Sequence, residues 1–158
     1  MKISISVKDR KIQEFLGEFQ NESPRAAAVL GSAYLDYLLK VLLKSRLVKD
    51  RSLFKELDNL TFERRLNLCY LTGIINRTVR DDLKKINWIR NKFAHDIKLN
   101  TFMRGDISNE CNNLQIINFV QEEESFFEKP RDKYTAAIAI YTTILKKRIK
   151  DCQRIETP

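Results

Sequence analysis

The chain has 158 residues and a mass of 18.6 kDa, a length that fits one domain with a substantial core. It has only four glycines and three prolines, which argues against a loop-rich β-sandwich and favours long helices. The 29 basic and 21 acidic side chains give a net charge of +8. This charge suits either a polyanionic partner such as nucleic acid or a merely basic surface, and no zinc-finger, basic-region or P-loop pattern accompanies it.

The cysteine pattern and the hydropathy pattern indicate where the protein resides. Cys69, Cys111 and Cys152 form no C-x-x-C pair, so we expect reduced thiols rather than a zinc site or a disulfide scaffold. No apolar run approaches the roughly 20 residues that span a bilayer, and "MKISISVKDRK" lacks the apolar core of a signal peptide. We therefore predict a cytoplasmic protein with no membrane contact, no metal and no cofactor.

The first half of the chain predicts two helices in succession. The first spans about residues 7–19, and its apolar positions lie on one side: Ile12, Phe15, Leu16 and Phe19. Ser23 is a candidate N-cap of the second helix, and Pro24 suits its first turn. Apolar residues surround this second helix nearly completely, which predicts a central, well-covered position. Strand-like alternation is confined to "KISISV" at residues 2–7.

The middle and end of the chain predict further helices. A short helix is expected near residues 52–57. Thr61 can cap the next helix, which Gly73 ends, and Asn76 can cap the helix that contains "DDLKKINWIRNKFAHD". Residues 96–106 indicate a loop, after which Asp106 or Ser108 begins a helix that continues to Val120.

Residues 121–130 are predicted to be a connection, and Pro130 opens the last helix. We therefore predict an all-α bundle that forms a single domain over residues 1–158.

An arginine lies on the apolar stripe of the helix that follows Asn76. The stripe consists of Val79, Leu83, Ile86, Arg90 and Phe93. A buried arginine requires an acidic partner, and Asp36 is equally unexpected on its helix face. We expect an Asp36–Arg90 ion pair, with Glu63 as the competing partner of Arg90. Breaking a buried pair from one side typically costs about 3–5 kcal/mol.

The only histidine, His95, follows five residues after Arg90. On a continuous helix it shares a second stripe with Trp88 and Asn91. If the helix ends near Ala94, His95 could instead turn back toward Arg90. A single histidine after a helix is more often a cap or a surface residue than a catalytic group.

The segment "RNKFAHD" matches R-N-x-x-x-H and resembles the Arg–His motif of the HEPN superfamily. Residues 57–96, "LDNLTFERRLNLCYLTGIINRTVRDDLKKINWIRNKFAHD", resemble the signature of its mannitol operon repressor-like branch. "SPRAAAVLGSAYLDYLL" resembles the preceding helix of that family, and "RDKYTAAIAIYTTIL" its last helix. The resemblance covers roughly residues 20–148.

The resemblance implies a bundle around a long antiparallel helix pair, usually a homodimer, in which two Arg–His motifs meet in a cleft and cut RNA without a metal. It gives His95 the role of general acid or base, because an imidazole can accept or donate a proton near neutral pH. Arg90 would neutralise the phosphate, Asn91 would orient the phosphate or the histidine, and Asp36 would position Arg90. The product would carry a 2′,3′-cyclic phosphate.

Other functions are also consistent with the sequence. As an endoribonuclease, the protein would act in stress response, as a toxin or in defence, with an antitoxin as partner. The resemblance equally allows a non-enzymatic transcriptional regulator that acts through a protein partner, since no helix-turn-helix with base-reading side chains is evident. It also allows a partner subunit of a nucleotidyltransferase. Alternatively, the polar residues of the motif simply hold helices together.

A basic cluster near the end is either a solvated face or a polyanion-binding segment: Lys146, Lys147, Arg148, Lys150 and Arg154.

Overall fold

The computed structural model describes residue 6, residues 8–120 and residues 127–157. Within these residues the chain forms an all-α bundle, as predicted. The elements are α1 (Arg10–Phe19), α2 (Pro24–Arg46), α3 (Arg51–Asp58), α4 (Phe62–Leu71), α5 (Arg77–His95), α6 (Gly105–Asn112), a 3-10 helix (Gln115–Phe119) and α7 (Pro130–Asp151).

The predicted helix boundaries are confirmed where a polar cap marks them. The side chains of Ser23, Thr61 and Asn76 each accept a hydrogen bond from the backbone N–H three residues later, at 3.1, 3.3 and 3.0 Å. These bonds satisfy N–H groups that a helix start otherwise leaves unpaired. Pro24 and Pro130 occupy the first positions of α2 and α7. The caps therefore fix where the three central helices begin.

Helices α2 and α7 pack side by side and run in the same direction. Near their starts, the Tyr134 hydroxyl donates to the carbonyl of Ala28 at 2.9 Å. Near their ends, the backbone N–H of Ile155 donates to the carbonyl of Arg46 at 2.8 Å. Between these points Gly31 allows close approach, because a Cβ there would lie 3.2 Å from Ile138.

Helix α5 runs antiparallel to both α2 and α7. Its last turn lies at the start of α2, where Arg25 donates to the carbonyl of Asp96 at 2.9 Å. The turn before α5 lies at the end of α7, where Arg148 donates to the carbonyl of Ile74 at 2.9 Å. The long antiparallel pair implied by the family resemblance corresponds to α2 and α5.

Helix α2 has the apolar composition expected of the centre of the bundle. Its buried apolar residues are Ala27, Ala28, Leu35, Leu38, Leu39, Leu42 and Leu43. Among the described residues it is the one helix long and apolar enough to cross a membrane, with a mean hydropathy of 1.5 over its most apolar window. Half of that window is buried within the protein. Burial against α5 and α7 accounts for this apolarity, as in the core helix of a globular bundle.

The helix predicted from Asp106 or Ser108 to Val120 is wrong in its second half. Helix α6 ends at Asn112, and a separate 3-10 helix follows. The reason is tertiary: the buried carboxylate of Asp82 accepts hydrogen bonds from the backbone N–H groups of Gln115 and Ile116, both at 2.9 Å. A helix continuing through Gln115 and Ile116 would commit these N–H groups to its own carbonyls.

Residues 121–126 lie outside the described residues, as do all of residues 2–7 except Ser6.

Candidate functional site

One face of the last turns of α5 lines a groove with a volume of about 650 Å³. Trp88, Asn91 and His95 lie along it, and the loop after α5 forms the opposite side. Helix α5 ends at His95, and Trp88, Asn91 and His95 line one groove, as the second stripe predicted. His95 is exposed, and Trp88 is 37 % exposed. We call this surface the His95 groove.

Arg25 of α2 fixes the end of α5. Its guanidinium donates to the carbonyl of Phe93 and to three carbonyls just beyond the helix, those of Asp96 (2.9 Å), Ile97 (3.0 Å) and Leu99 (3.1 Å). The carbonyls at a helix C-terminus have no partner within the helix and carry partial negative charge, which an arginine complements. Arg25 therefore determines the position of the backbone on both sides of His95.

Aromatic packing holds the loop after α5 against the core. Phe102 is buried, with ring centroids 4.7 Å from Phe93 and 5.2 Å from Tyr134. Leu99 is also buried. The loop that borders the His95 groove is therefore anchored by two apolar side chains, although Ile97 between the helix and these anchors is 90 % exposed.

Arg104, which lines the groove, is already paired. It contacts Asp96 at 2.6 Å and binds both oxygens of Asp106 at 2.7 and 2.9 Å. Hydrogen bonds from this guanidinium hold the pKa of Asp96 and the pKa of Asp106 below their ordinary values. Both carboxylates are thus anionic at neutral pH, and the cluster of Arg104, Asp96 and Asp106 carries a net charge of −1.

Two lysines supply the available positive charge of the groove. The Nζ atom of Lys92 lies 4.9 Å from the centre of the Trp88 ring, a cation–π distance. Lys98 is exposed on the loop side of the groove. An exposed histidine, two lysines and a tryptophan thus line one cavity.

Arg90 does not line the His95 groove. It is half-buried, and its Nη1 donates to Oδ1 of Asn91 at 2.7 Å. Its positive charge also partly opposes the increase that burial causes in the pKa of Tyr134. Among the described residues Arg90 forms no ion pair, so the expected pairing with Asp36 is wrong. Arg90 reaches the groove only through Asn91.

Asp36 instead pairs with Arg65 of α4, which is 3 % exposed. The same guanidinium donates to the carbonyls of Leu60 at 2.8 Å and Leu57 at 3.2 Å. Arg65 therefore joins α2, α4 and the turn between α3 and α4. The alternative partner, Glu63, contacts Lys84 at 4.0 Å rather than Arg90.

The sequence contained a signal for Arg65 that we did not use. Arg65 lies three residues after Phe62 and four before Cys69, so it shares the apolar face of α4 with them. Arg90 lies on the apolar stripe of α5 in the same manner. The sequence therefore offered two candidate partners for Asp36, Arg65 and Arg90, and the packing of α4 brings Arg65 to it.

Asp82 is a buried carboxylate that the sequence analysis missed. It is fully buried and accepts from the Tyr141 hydroxyl at 2.6 Å, from Lys85 at 3.3 Å and from the two N–H groups at the 3-10 helix. Its position three residues after Val79 and four before Ile86 was the available signal. Because all its neighbours are structural donors, we assign Asp82 to stability rather than to chemistry.

The described residues contain no group of three or more His, Cys, Asp or Glu side chains that could hold a metal ion. The three cysteines are free, and burial raises the pKa of Cys69 and of Cys111 to about 12. Comparison with protein-family models, with characterised proteins and with solved structures gave no match. The resemblance to the HEPN motif therefore rests on the residues quoted above.

Proposed function

We propose that the protein is a HEPN-type endoribonuclease that acts without a metal at the His95 groove. The observation that carries this proposal is the setting of the only histidine: His95 is exposed in a groove that Lys92, Lys98 and Trp88 also line. Lysines attract phosphate, an indole face stacks on a base, and an imidazole transfers protons. Phosphate attraction and proton transfer serve cleavage, and base stacking serves RNA binding.

In the proposed reaction the ribose 2′-oxygen attacks the adjacent phosphorus, and the bond from phosphorus to the 5′-oxygen of the next nucleotide breaks. A base removes the proton of the 2′-hydroxyl, and an acid protonates the departing 5′-oxygen. The products are a 2′,3′-cyclic phosphate and a 5′-hydroxyl. His95 serves as one of these two proton-transfer groups, and the two lysines stabilise the charge that develops on the phosphate.

Asn91 and Arg90 act together in this proposal. An arginine only donates hydrogen bonds, so the Asn91 atom that faces Arg90 is its oxygen. The amide nitrogen of Asn91 is then the end that can donate to a phosphate oxygen in the groove. Arg90 is thus a positioning residue for Asn91. Asp36 has no part in the reaction, because its partner is Arg65.

A second copy of the chain would complete the site. One imidazole cannot be base and acid in the same step, and the chain contains one histidine. Next to the groove, Ile97 and Met103 are 90 % and 67 % exposed, and such apolar side chains suit an interface. A two-fold axis near them would bring both His95 side chains to one cleft.

The test is cleavage of a mixed RNA by the purified protein in EDTA, beside His95→Ala and Asn91→Ala. His95 is exposed, so its replacement should leave the fold intact while lowering the rate by about 100-fold or more. Lys55→Ala, at an exposed site of α3, is the matched control and should cleave normally. Wild-type protein that leaves RNA intact, or a His95→Ala variant with full activity, would refute the nuclease.

The second candidate is a non-enzymatic regulator that acts through a protein partner, and the exposure of Ile97 and Met103 favours it. In that case the apolar side chains would contact a different protein rather than a second copy. Two results together would support this alternative. The wild-type protein would not cleave RNA, and the Ile97→Asp variant would have the same oligomeric state as the wild type.

A further inference from the structure

A second groove, with a volume of about 670 Å³, lies at the opposite end of the bundle from His95. It lies between the last turns of α2 and α7, the turn that joins α4 to α5, and the segment after α7. That segment is fixed: Arg46 donates to the carbonyl of Gln153 at 2.9 Å, and Arg154 donates to the carbonyl of Leu47 at 2.7 Å. The groove therefore has a defined wall on each side. We call it the Cys152 groove, after the thiol at its edge.

The interior of the Cys152 groove is apolar. Leu42 and Ile140 form its buried floor, and Ile74 and Ile144 line it. The hydroxyl group of Thr143 in its wall donates to the carbonyl of Ala139 at 3.1 Å, and that of Thr72 donates to carbonyls of its own helix. These hydroxyls cannot also donate to an anionic head group, so the interior suits the hydrocarbon part of an anionic ligand.

The rim of the groove is positively charged. Arg46, Lys147 and Arg148 line it, against a single acid, Asp151. Lys147 is exposed. Arg46 and Arg148 each use one amino group to bind a backbone carbonyl, but their positive charge remains. A net charge of +2 at the mouth of an apolar cavity complements a ligand with an anionic head and an apolar body.

We propose that the Cys152 groove binds a small amphipathic anion, with its hydrocarbon portion on the floor formed by Leu42 and Ile140 and its carboxylate or phosphate near Lys147. The volume lies within the range of about 300–1,000 Å³ that small-molecule sites occupy. This site is separate from the His95 groove and does not depend on ribonuclease activity.

Cys152 reports on occupancy of this groove. It is half-exposed, whereas Cys69 and Cys111 are buried and burial raises their pKa values to about 12, so both stay protonated and unreactive. We therefore expect N-ethylmaleimide, an uncharged reagent, to alkylate the native protein at Cys152. Cys152→Ser gives the background rate. Decanoate should slow the alkylation, whereas decyltrimethylammonium, with the same chain and the opposite charge, should slow it far less.

Two comparisons test the two halves of the ligand. Octanoate, which is two methylenes shorter, should require about a 16-fold higher concentration than decanoate, because each methylene contributes about a fourfold change in affinity. Lys147→Glu should raise the decanoate concentration needed by about threefold or more. Lys150→Glu is the matched control, since Lys150 is exposed on the same helix and does not line the groove, and it should leave protection unchanged.

Three results would overturn the proposal. The first is an alkylation rate that decanoate does not change in the folded wild-type protein. The second is equal protection by the cationic compound. The third is an equal effect of Lys147→Glu and Lys150→Glu, which would indicate general surface charge rather than a site. Cleavage of RNA can be measured on the same samples, so failure here leaves the ribonuclease proposal untouched.

Discussion

Replacement of Asp82 by asparagine should destabilise the protein at the junction of α5, α7 and the 3-10 helix. One carboxylate oxygen accepts from the Gln115 N–H and from Lys85, and the other accepts from the Ile116 N–H and the Tyr141 hydroxyl. Asn has one acceptor and one donor in place of two acceptors. The least costly orientation keeps the oxygen toward Ile116 and Tyr141 and turns the NH2 group toward Gln115.

The magnitude follows from what this orientation loses. The partly buried N–H of Gln115 and the ammonium group of Lys85 lose their acceptor, which costs about 1–3 kcal/mol. The remaining two bonds lose the negative charge of their acceptor, and charged hydrogen bonds are stronger than neutral ones by about 1 kcal/mol. We therefore expect Asp82→Asn to lower the free energy of unfolding by about 2–4 kcal/mol.

The assay is urea unfolding followed by circular dichroism, combined with hydrogen exchange of the backbone amides. The amide of Gln115 should exchange faster in Asp82→Asn because it loses its acceptor, and the amide of Ile116 should exchange faster to a smaller extent because its acceptor loses its charge. Asp81→Asn is the matched control. Asp81 is partly exposed and pairs with Arg80 at 3.2 Å, so its loss should cost less than about 1 kcal/mol. Equal destabilisation by the two variants would show that Asp82 does not hold the junction.

Two further predictions concern Arg25 and Tyr141. Arg25→Met leaves the carbonyl of Phe93 and the carbonyls that follow it without their donor, so the free energy of unfolding should fall by about 2–3 kcal/mol in urea unfolding, with Arg25→Lys recovering part of it. Burial raises the pKa of Tyr141, with a further contribution from Asp82, so above about pH 10 the unfolded chain releases this proton while the folded chain retains it. Stability should therefore fall with rising pH, and Tyr141→Phe should make that slope shallower by about 1.4 kcal/mol per pH unit; an identical slope in thermal or urea unfolding would contradict this.

Local signals in the sequence predicted most of the fold. Ser23, Thr61 and Asn76 cap the helices they were expected to cap, and Gly73, at φ 71°, stops α4 as predicted. Helix caps and glycine stops depend only on residues a few positions away, so they can be predicted from a single sequence. The stripe of Trp88, Asn91 and His95 is also local, since it follows from helical spacing alone.

Long-range pairing could not be predicted in the same way. The stripe of α5 placed Arg90 on an apolar face, but the choice of acid depends on which helix packs against Asp36. Arg65 forms the ion pair with Asp36, and Arg90 instead donates a hydrogen bond to Asn91, its neighbour in the sequence. The break between α6 and the 3-10 helix has the same origin. Asp82, which is distant in the sequence, accepts hydrogen bonds from two N–H groups that a continuous helix would use for its own bonds. Both errors concern contacts between residues far apart in the chain.

The most direct test of the account is whether RNA enters the His95 groove, and Trp88, the only tryptophan, reports on it. A 2′-O-methyl oligoribonucleotide lacks the attacking hydroxyl, so it can bind without being cut. We predict that it changes Trp88 fluorescence, that the affinity falls steeply with salt, and that Lys98→Glu weakens binding while Lys55→Glu does not. RNA binding that leaves Trp88 fluorescence unchanged, or that Lys98→Glu and Lys55→Glu weaken equally, would contradict the account.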